Sequence, residues 1–128
     1  MTLAPNDYLL HLADNAVVLG QRDAEWCGHG PILEEDLALA NVSLDLIGQA
    51  RLLYQLAATR AGGGVTEDAL AYLRDDTQFR NYTLLELPNH GALVGYAASD
   101  LDYATTIVRN FLYSALMVLL WDALQSSP

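Results

Sequence analysis

The stretch from Glu34 to Arg60 constrains the fold of this chain most, because it contains no proline and a single glycine. Hydrophobic residues recur in it at steps of three to five, the period of a buried helical face. These residues are Leu37, Ala40, Leu44, Ile47, Leu52 and Leu56. The other side is also apolar, through Leu39, Val42, Leu46 and Leu53. A helix that is hydrophobic around most of its circumference must be surrounded by other helices. The stretch therefore predicts a core helix.

A polar stripe runs along the same helix. Asn41, Asp45 and Gln49 follow one another at intervals of four, which places them on one helical face. Buried polar side chains need hydrogen-bond partners, so we predict an internal network that fixes the register of the helices. Its predicted members are Asp14, Asn15, Asn41, Asp45, Gln49 and Arg51, with Arg109 as an alternative cation.

Two more long helices are predicted, over residues 7–25 and 100–125. The glycines and proline of Cys27 to Pro31 cannot continue a helix, so the first two helices form an antiparallel hairpin. With the turn centred near residue 29 or 30, Asp14 and Asp45 are expected at the same height. The third helix is expected to turn these residues inward: Ile107, Phe111, Leu112, Ala115, Leu119 and Leu120.

Shorter elements are predicted between the second and third long helices. Thr66 resembles an N-cap, with a short helix following from Glu67 to about Asp75 and another helical piece within residues 76–87. A connector covers residues 92–98, and Ser99 with Asp102 has the spacing of a capping box. No alternating strand pattern of useful length is present. The predicted class is all-α, in a single domain over residues 1–128.

Three long helices cannot close a four-helix bundle. The third helix is nearly as apolar all round as the second, so it needs more cover than this chain provides. We expect a missing segment, a partner subunit or a symmetric copy to supply that cover, in a homo- or hetero-oligomer.

Composition excludes several classes of function. The formal charge is −10 and all six cations are arginines, which opposes nucleic-acid binding. The longest apolar run, residues 111–124, is shorter than the roughly 18–20 residues that span a bilayer and is broken by Ser114 and Asp122. No secretory signal is visible, so a cytoplasmic location is expected. The single cysteine, Cys27, excludes an internal disulfide and is expected to be a buried, inert thiol.

The chain does not contain a full set of ligands for a carboxylate-bridged di-iron bundle. Such a site takes a Glu from each of two helices and Glu-x-x-His from each of the other two. No Glu or Asp is followed three residues later by His, and the corresponding string after Asp45 has Gly48 in place of the histidine. No cofactor is therefore expected in this chain. The weak alternative is a three-ligand metal site formed by His11, Asp14 and Asp45.

A second polar cluster lies in the region of the short helices. It consists of Arg74, Asp75, Arg80 and Asn81. Such a cluster is most often a solvated face, but it could also be a surface that contacts a partner.

Several longer strings resemble the C subunit of phenylacetyl-CoA epoxidase, the multicomponent oxygenase of aerobic phenylacetate degradation. The most specific are Glu25-Trp26-Cys27-Gly28-His29-Gly30-Pro31 and Leu44-Asp45-Leu46-Ile47-Gly48-Gln49-Ala50-Arg51. Asp14-Asn15, Leu19-Gly20-Gln21-Arg22, Glu34 to Asn41, Leu73-Arg74-Asp75, Phe79-Arg80-Asn81 and Glu86-Leu87-Pro88-Asn89 extend the match. The chain stops near the middle of the usual family length, so the resemblance concerns the N-terminal half.

The resemblance implies a ferritin-like helical bundle and a non-catalytic structural subunit. In that family the di-iron site and the CoA ester belong to the homologous catalytic A subunit, which is the implied partner. Two alternatives remain open. One is a di-metal oxygenase whose ligands are completed by a second chain, and the other is a half-bundle that only homo-oligomerises.

Overall fold

A computed structural model describes residues 5–90 and 101–126, and helices account for 76% of them. The helices are α1 (Pro5–Ala24), α2 (Leu33–Ala61), α3 (Glu67–Tyr72), α4 (Thr83–Glu86) and α5 (Tyr103–Gln125), with a 3₁₀ turn at Asp76–Gln78. The described residues contain no strand, only an isolated bridge between His90 and Leu101. The all-α prediction is confirmed, and the architecture is consistent with a ferritin-like bundle.

Local chemistry sets the helix ends. The Thr66 hydroxyl accepts the Ala69 amide at 3.2 Å and starts α3, as the sequence predicts. Asp102 caps α5 by accepting the Thr105 amide at 3.3 Å. Gly62 ends α2 with a positive φ of 68°. The predicted connector over residues 92–98 and the predicted cap at Ser99 lie outside the described residues.

The turn between α1 and α2 is held by one carboxylate. Asp36 accepts the backbone amide of Gly28 at 2.8 Å, which ties the start of α2 to the connector. Gly30 packs directly on Asp36, since a Cβ at Gly30 would lie 2.8 Å from the Asp36 Cβ and 3.0 Å from its backbone nitrogen. The two helices pack along their lengths as the predicted antiparallel hairpin.

The register of this hairpin differs from the predicted one. The Ser43 hydroxyl donates to the backbone carbonyl of Gly20 at 2.6 Å, and the side-chain amide of Asn6 donates to the backbone carbonyl of Ala57 at 3.3 Å. Asp14 lies six residues before Gly20, so it is level with residue 49, six residues after Ser43. Asp14 and Asp45 were predicted to lie at the same level of the hairpin, and this prediction is wrong by about one helical turn.

The face of α2 that packs on α1 was also predicted incorrectly. The buried residues are Leu39, Ser43, Leu46, Ala50, Tyr54, Ala57 and Ala58. The stripe predicted to face inward is largely exposed, at Leu37, Leu44, Ile47, Leu52 and Leu56. Small residues explain why this face of α2 packs on α1. Gly20 of α1 approaches α2 so closely that an added Cβ would lie 3.2 Å from the backbone carbonyl oxygen of Ser43.

The chain divides into two compact units, one ending at Leu87 and the other beginning at Pro88. In the second unit, α5 buries Thr106, Arg109, Tyr113 and Met117. The residues predicted to face inward are exposed at Ile107, Phe111, Leu112 and Leu119, and at Ala115, while Leu120 is half-buried. Those predictions are wrong, because a helix that is apolar all round does not reveal its buried face by periodicity.

Helix α5 is the one helix in the described parts of the chain that is long and apolar enough to cross a membrane by length and composition. Its 23 residues contain a window of mean hydropathy 1.4, of which 17% is buried. The expectation concerned an uninterrupted apolar run, whereas α5 meets the membrane criterion as an average over 18 residues, by length and composition alone. The interruptions at Ser114 and Asp122 are outweighed by the hydrophobic residues around them.

Two glycine substitutions test the packing of the hairpin. Gly30→Ala is expected to destabilise the protein by about 1–3 kcal/mol, since the new methyl group overlaps Asp36. Gly48→Ala is the matched control. Gly48 lies inside α2 with no atom within 4 Å of an added Cβ, so this change should stabilise by about 0.5–1 kcal/mol through helix propensity. Urea unfolding followed by circular dichroism measures both, and equal effects of the two changes would contradict the described turn.

Candidate functional site

The first unit is built around a buried ion pair between Asp14 of α1 and Arg74, which follows α3. The Asp14 side chain is 1% exposed and the Arg74 side chain 11%. The guanidinium binds both carboxylate oxygens, with Nη1 at 3.1 Å from Oδ2 and Nη2 on Oδ1. This bidentate pair, called the Asp14–Arg74 clamp below, spans 60 positions of sequence. It has the geometry in which arginine binds a carboxylate most strongly.

The remaining donors and faces of Arg74 are also used. Its Nε donates to the Leu70 carbonyl at 2.5 Å, and Nη1 also reaches the Gln78 carbonyl at 3.4 Å. The guanidinium carbon lies 4.2 Å from the centre of the Phe79 ring and 5.6 Å from that of Tyr54. These cation–π contacts are worth about 0.5–2 kcal/mol each. Arg74 therefore fixes the segment from Glu67 to Glu86, called the arm below, against the hairpin.

Asp14 has no free lone pair for a further ligand. Besides the guanidinium, Oδ1 accepts the Tyr54 hydroxyl at 2.7 Å and Oδ2 accepts the Arg80 amide at 3.2 Å. Burial alone would lower the pKa of Arg74, but the hydrogen bonds and charge of Asp14 outweigh it, so the pKa of Arg74 is raised. Burial, followed by the hydrogen bond to Asp14, raises the pKa of Tyr54 well above its ordinary value. The two raised pKa values hold Arg74 charged and Tyr54 protonated, the states in which both donate hydrogen bonds to Asp14.

A second set of hydrogen bonds continues from the clamp along α1. The side-chain oxygen Oδ1 of Asn15 accepts a hydrogen bond from the backbone N–H of Tyr82 at 2.8 Å. The side-chain nitrogen Nδ2 of Asn15 then donates to His11 Nε2 at 3.2 Å. His11 Nδ1 then donates to the Arg80 carbonyl at 2.5 Å. The His11 ring also meets Tyr82 edge-on, with ring centres 4.8 Å apart. Helix α1 thus fixes the backbone of the arm at Arg80 and Tyr82.

A metal ion does not fit these residues. Within residues 5–90 and 101–126, no group of three or more His, Cys, Asp and Glu side chains is arranged to hold a metal. Both ring nitrogens of His11 and both oxygens of Asp14 are hydrogen-bonded inside the chain. Asp45 is exposed and lies about one turn from the height of Asp14. The predicted metal candidates His11, Asp14 and Asp45 are therefore not brought together.

Comparison with known proteins assigns the family. The family model described as "Phenylacetic acid catabolic protein" matches residues 3–128. This chain belongs to the phenylacetic acid catabolic protein family. It is 48% identical over 120 residues to the C subunit of the 1,2-phenylacetyl-CoA epoxidase of Escherichia coli strain K12. The alignment covers 94% of this chain and 44% of the relative, so the chain spans less than half the length of the relative it matches.

Only part of the predicted buried network is formed in this family member. Asp14 and Asn15 are buried, but Asn41, Asp45 and Gln49 are exposed. Arg51, which was predicted to neutralise the network, is 69% exposed and pairs with Glu67 at 2.9 Å. Arg109, the other predicted cation, is buried on α5 and donates to Asn89. The register of the hairpin explains the error, because it turns the polar stripe of α2 away from α1.

The cluster predicted as a solvated or partner-contacting face divides in two. Arg74 is committed to Asp14 inside the chain, whereas the side chains of Asp75 and Arg80 are exposed and Asn81 is half-buried. Sequence reasoning missed Tyr54, and it placed Arg74 on a surface without pairing it with Asp14. The available signal in the sequence was Asp14, since a buried carboxylate requires a cation. Cys27 was predicted to be buried and is exposed, because it lies in the turn beyond the packed part of α1.

Breaking the clamp should be among the most damaging single changes. Asp14→Ala or Arg74→Ala leaves the other charge buried without its partner and is expected to cost about 3–5 kcal/mol. The double variant should lose less than the sum of the two, because the second change removes the uncompensated charge. Urea unfolding of the four proteins measures the coupling. The exposed pair Arg51–Glu67 is the matched control, whose removal should cost about 0–1 kcal/mol.

The raised pKa of Tyr54 predicts a specific loss of stability in alkali. A folded-state pKa above the unfolded value of about 10 means that the stabilisation is complete below pH 10 and is lost as pH rises further. The loss for this one group is about 1.4 kcal/mol per pH unit. Tyr54→Phe should therefore narrow the difference in unfolding free energy between pH 9 and pH 11. Tyr8→Phe serves as the control, and identical pH dependence in both variants would contradict the prediction.

Proposed function

We propose that this chain is a non-catalytic structural subunit of a phenylacetyl-CoA epoxidase, acting with a homologous catalytic A subunit in aerobic phenylacetate catabolism. The family and the 48% identity to the C subunit of such an epoxidase support the pathway and the multi-subunit setting. One structural observation supports the non-catalytic role. Asp14, one of the two buried carboxylates of α1, is bound by a guanidinium, a hydroxyl and an amide, so it is used for structure.

The outer face of α2 supports a role in assembly. Large hydrophobic side chains are exposed along the length of this helix: Leu33, Leu37, Val42, Leu44, Ile47, Leu52 and Leu56. An exposed apolar surface of this extent is typical of a protein–protein interface. In this proposal the surface is covered by the catalytic A subunit, which holds the di-iron centre and the CoA ester. A cytoplasmic location belongs to the same proposal.

Metal content separates this role from the oxygenase alternative. The purified chain, loaded anaerobically with ferrous iron and desalted, is expected to retain none by elemental analysis. About two irons per chain or per dimer would contradict the structural role, and Asp45, an exposed carboxylate of α2, would become the first residue to substitute.

Association tests the assembly role. Co-expressed with an epoxidase catalytic subunit, the chain is expected to co-purify and to elute with it as one complex in size-exclusion chromatography with light scattering. Leu44→Glu places a charge on the exposed face of α2 and should weaken the complex at least tenfold while leaving helicity unchanged. Leu119→Glu, on the exposed surface of α5, provides the comparison. A stable homodimer with no affinity for the catalytic subunit would favour the half-bundle alternative.

A further inference from the structure

A cleft of about 810 Å³ lies between the C-terminal half of α1 and the arm. We propose that this cleft receives an arginine side chain from the partner subunit, and the inference rests on the proposed function for the identity of that subunit. The cleft belongs entirely to the first unit, and its walls are formed by α1, one residue of α2 and residues 71–86 of the arm.

The walls of the cleft suit the stem of a long side chain. They include Val17 and Val18 of α1, Ile47 of α2, and Tyr72 and Phe79 of the arm. Tyr72 is 77% exposed, so its ring is available at the edge of the cleft. Arginine places its aliphatic carbons on apolar surface and stacks its planar guanidinium on aromatic rings.

The charges of the cleft are not balanced within the chain. Two arginines line it, but Arg22 binds Glu25 at 3.1 Å and Arg74 binds Asp14. Asp76 and Glu86 also line it, and neither side chain forms an ion pair with the described residues, since Arg22 donates to the backbone carbonyl of Glu86 and not to its carboxylate. This leaves two carboxylates without a cation in a chain of net charge −10. The cleft therefore selects a positive group over a negative one.

An unused hydrogen-bond acceptor lies in the same wall. Asn81 Oδ1 is buried and has no partner among the described residues. A buried polar atom without a partner is unfavourable, and a rotation of the Asn81 side chain toward the cleft would let a donor of the ligand remove that cost. A guanidinium supplies five N–H donors in one plane, enough to serve Asn81 and a carboxylate together. A lysine ammonium lacks this planar arrangement.

The direct test uses small probes on the intact chain. N-acetyl-arginine amide is titrated and compared with N-acetyl-citrulline amide, which has nearly the same shape and no charge. Saturable NMR shifts of the Val17, Val18 and Asn81 amides with the arginine probe, at least fivefold weaker with citrulline, are expected. Equal binding of the two probes, or shifts located elsewhere, would overturn the assignment.

Three variants of the chain, two of them double, locate the interaction. Asp76→Asn with Glu86→Gln should weaken arginine binding about fivefold or more, whereas Glu34→Gln with Asp122→Asn changes the net charge equally and should leave it unchanged. Asn81→Leu should weaken binding without lowering the unfolding free energy, since the acceptor it removes has no partner among the described residues. Binding that none of these changes affects would mean that the probe does not occupy the cleft.

A second measurement identifies the source of the arginine. The same variants are assayed for association with the catalytic subunit, where Asp76→Asn with Glu86→Gln should weaken the complex about fivefold and the control pair should not. If the wild-type chain fails to bind that subunit, the proposed function fails, while the probe titration still decides the cleft. If the subunit binds equally well to all variants, the arginine does not come from this partner, and the proposal is wrong.

Discussion

The bidentate contact between Asp14 and Arg74 is the interaction on which the rest of the first unit depends. It joins a residue of α1 to a residue of the arm 60 positions away, and Tyr54 of α2 donates to the same carboxylate. Three segments of chain therefore meet at one buried charge. A buried charge is strongly unfavourable without its partner. The arm can therefore leave the hairpin only if Asp14 becomes exposed to water or stays buried without a cation. The ion pair specifies where the arm lies, whatever its net contribution to stability.

The existence of the helices could be predicted from sequence because their signals are local. Periodic hydrophobic residues, the Thr66 cap and the glycines that follow α2 act within a few positions. The hairpin followed from the short connector. The buried face of α2 could not be predicted in the same way, since leucines occur on nearly every side of it. That face was decided by Gly20 and Ser43, whose small size lets the two backbones approach closely.

The candidate site shows the same limit at longer range. The sequence indicated that Asp14 needs partners, but it offered six arginines and no measure of distance between them. Arg51 is nearer in sequence than Arg74, yet the register of the hairpin directs it outward to Glu67. The string Arg74-Asp75-Asp76 resembles an ordinary solvated surface, and Asp75 and Asp76 are indeed exposed. The burial of Arg74 follows from Phe79 and Tyr54, whose rings flank the guanidinium only after the arm has folded back.

The use of α2 connects these local facts to the assembly role proposed for this family member. Its inner face supplies Ser43 and Tyr54 to hold α1 and the clamp, so the polar groups of that face are fully engaged within the chain. Its outer face carries exposed leucines beside Asn41, Asp45 and Gln49, which have no such task in the described residues. Covering such a surface lowers the free energy of the system, because apolar area is removed from water. The neighbouring polar groups can still form hydrogen bonds with the partner. A chain in which Asp14 is already neutralised by Arg74 can offer that surface without changing this part of its core, which is what a structural subunit requires.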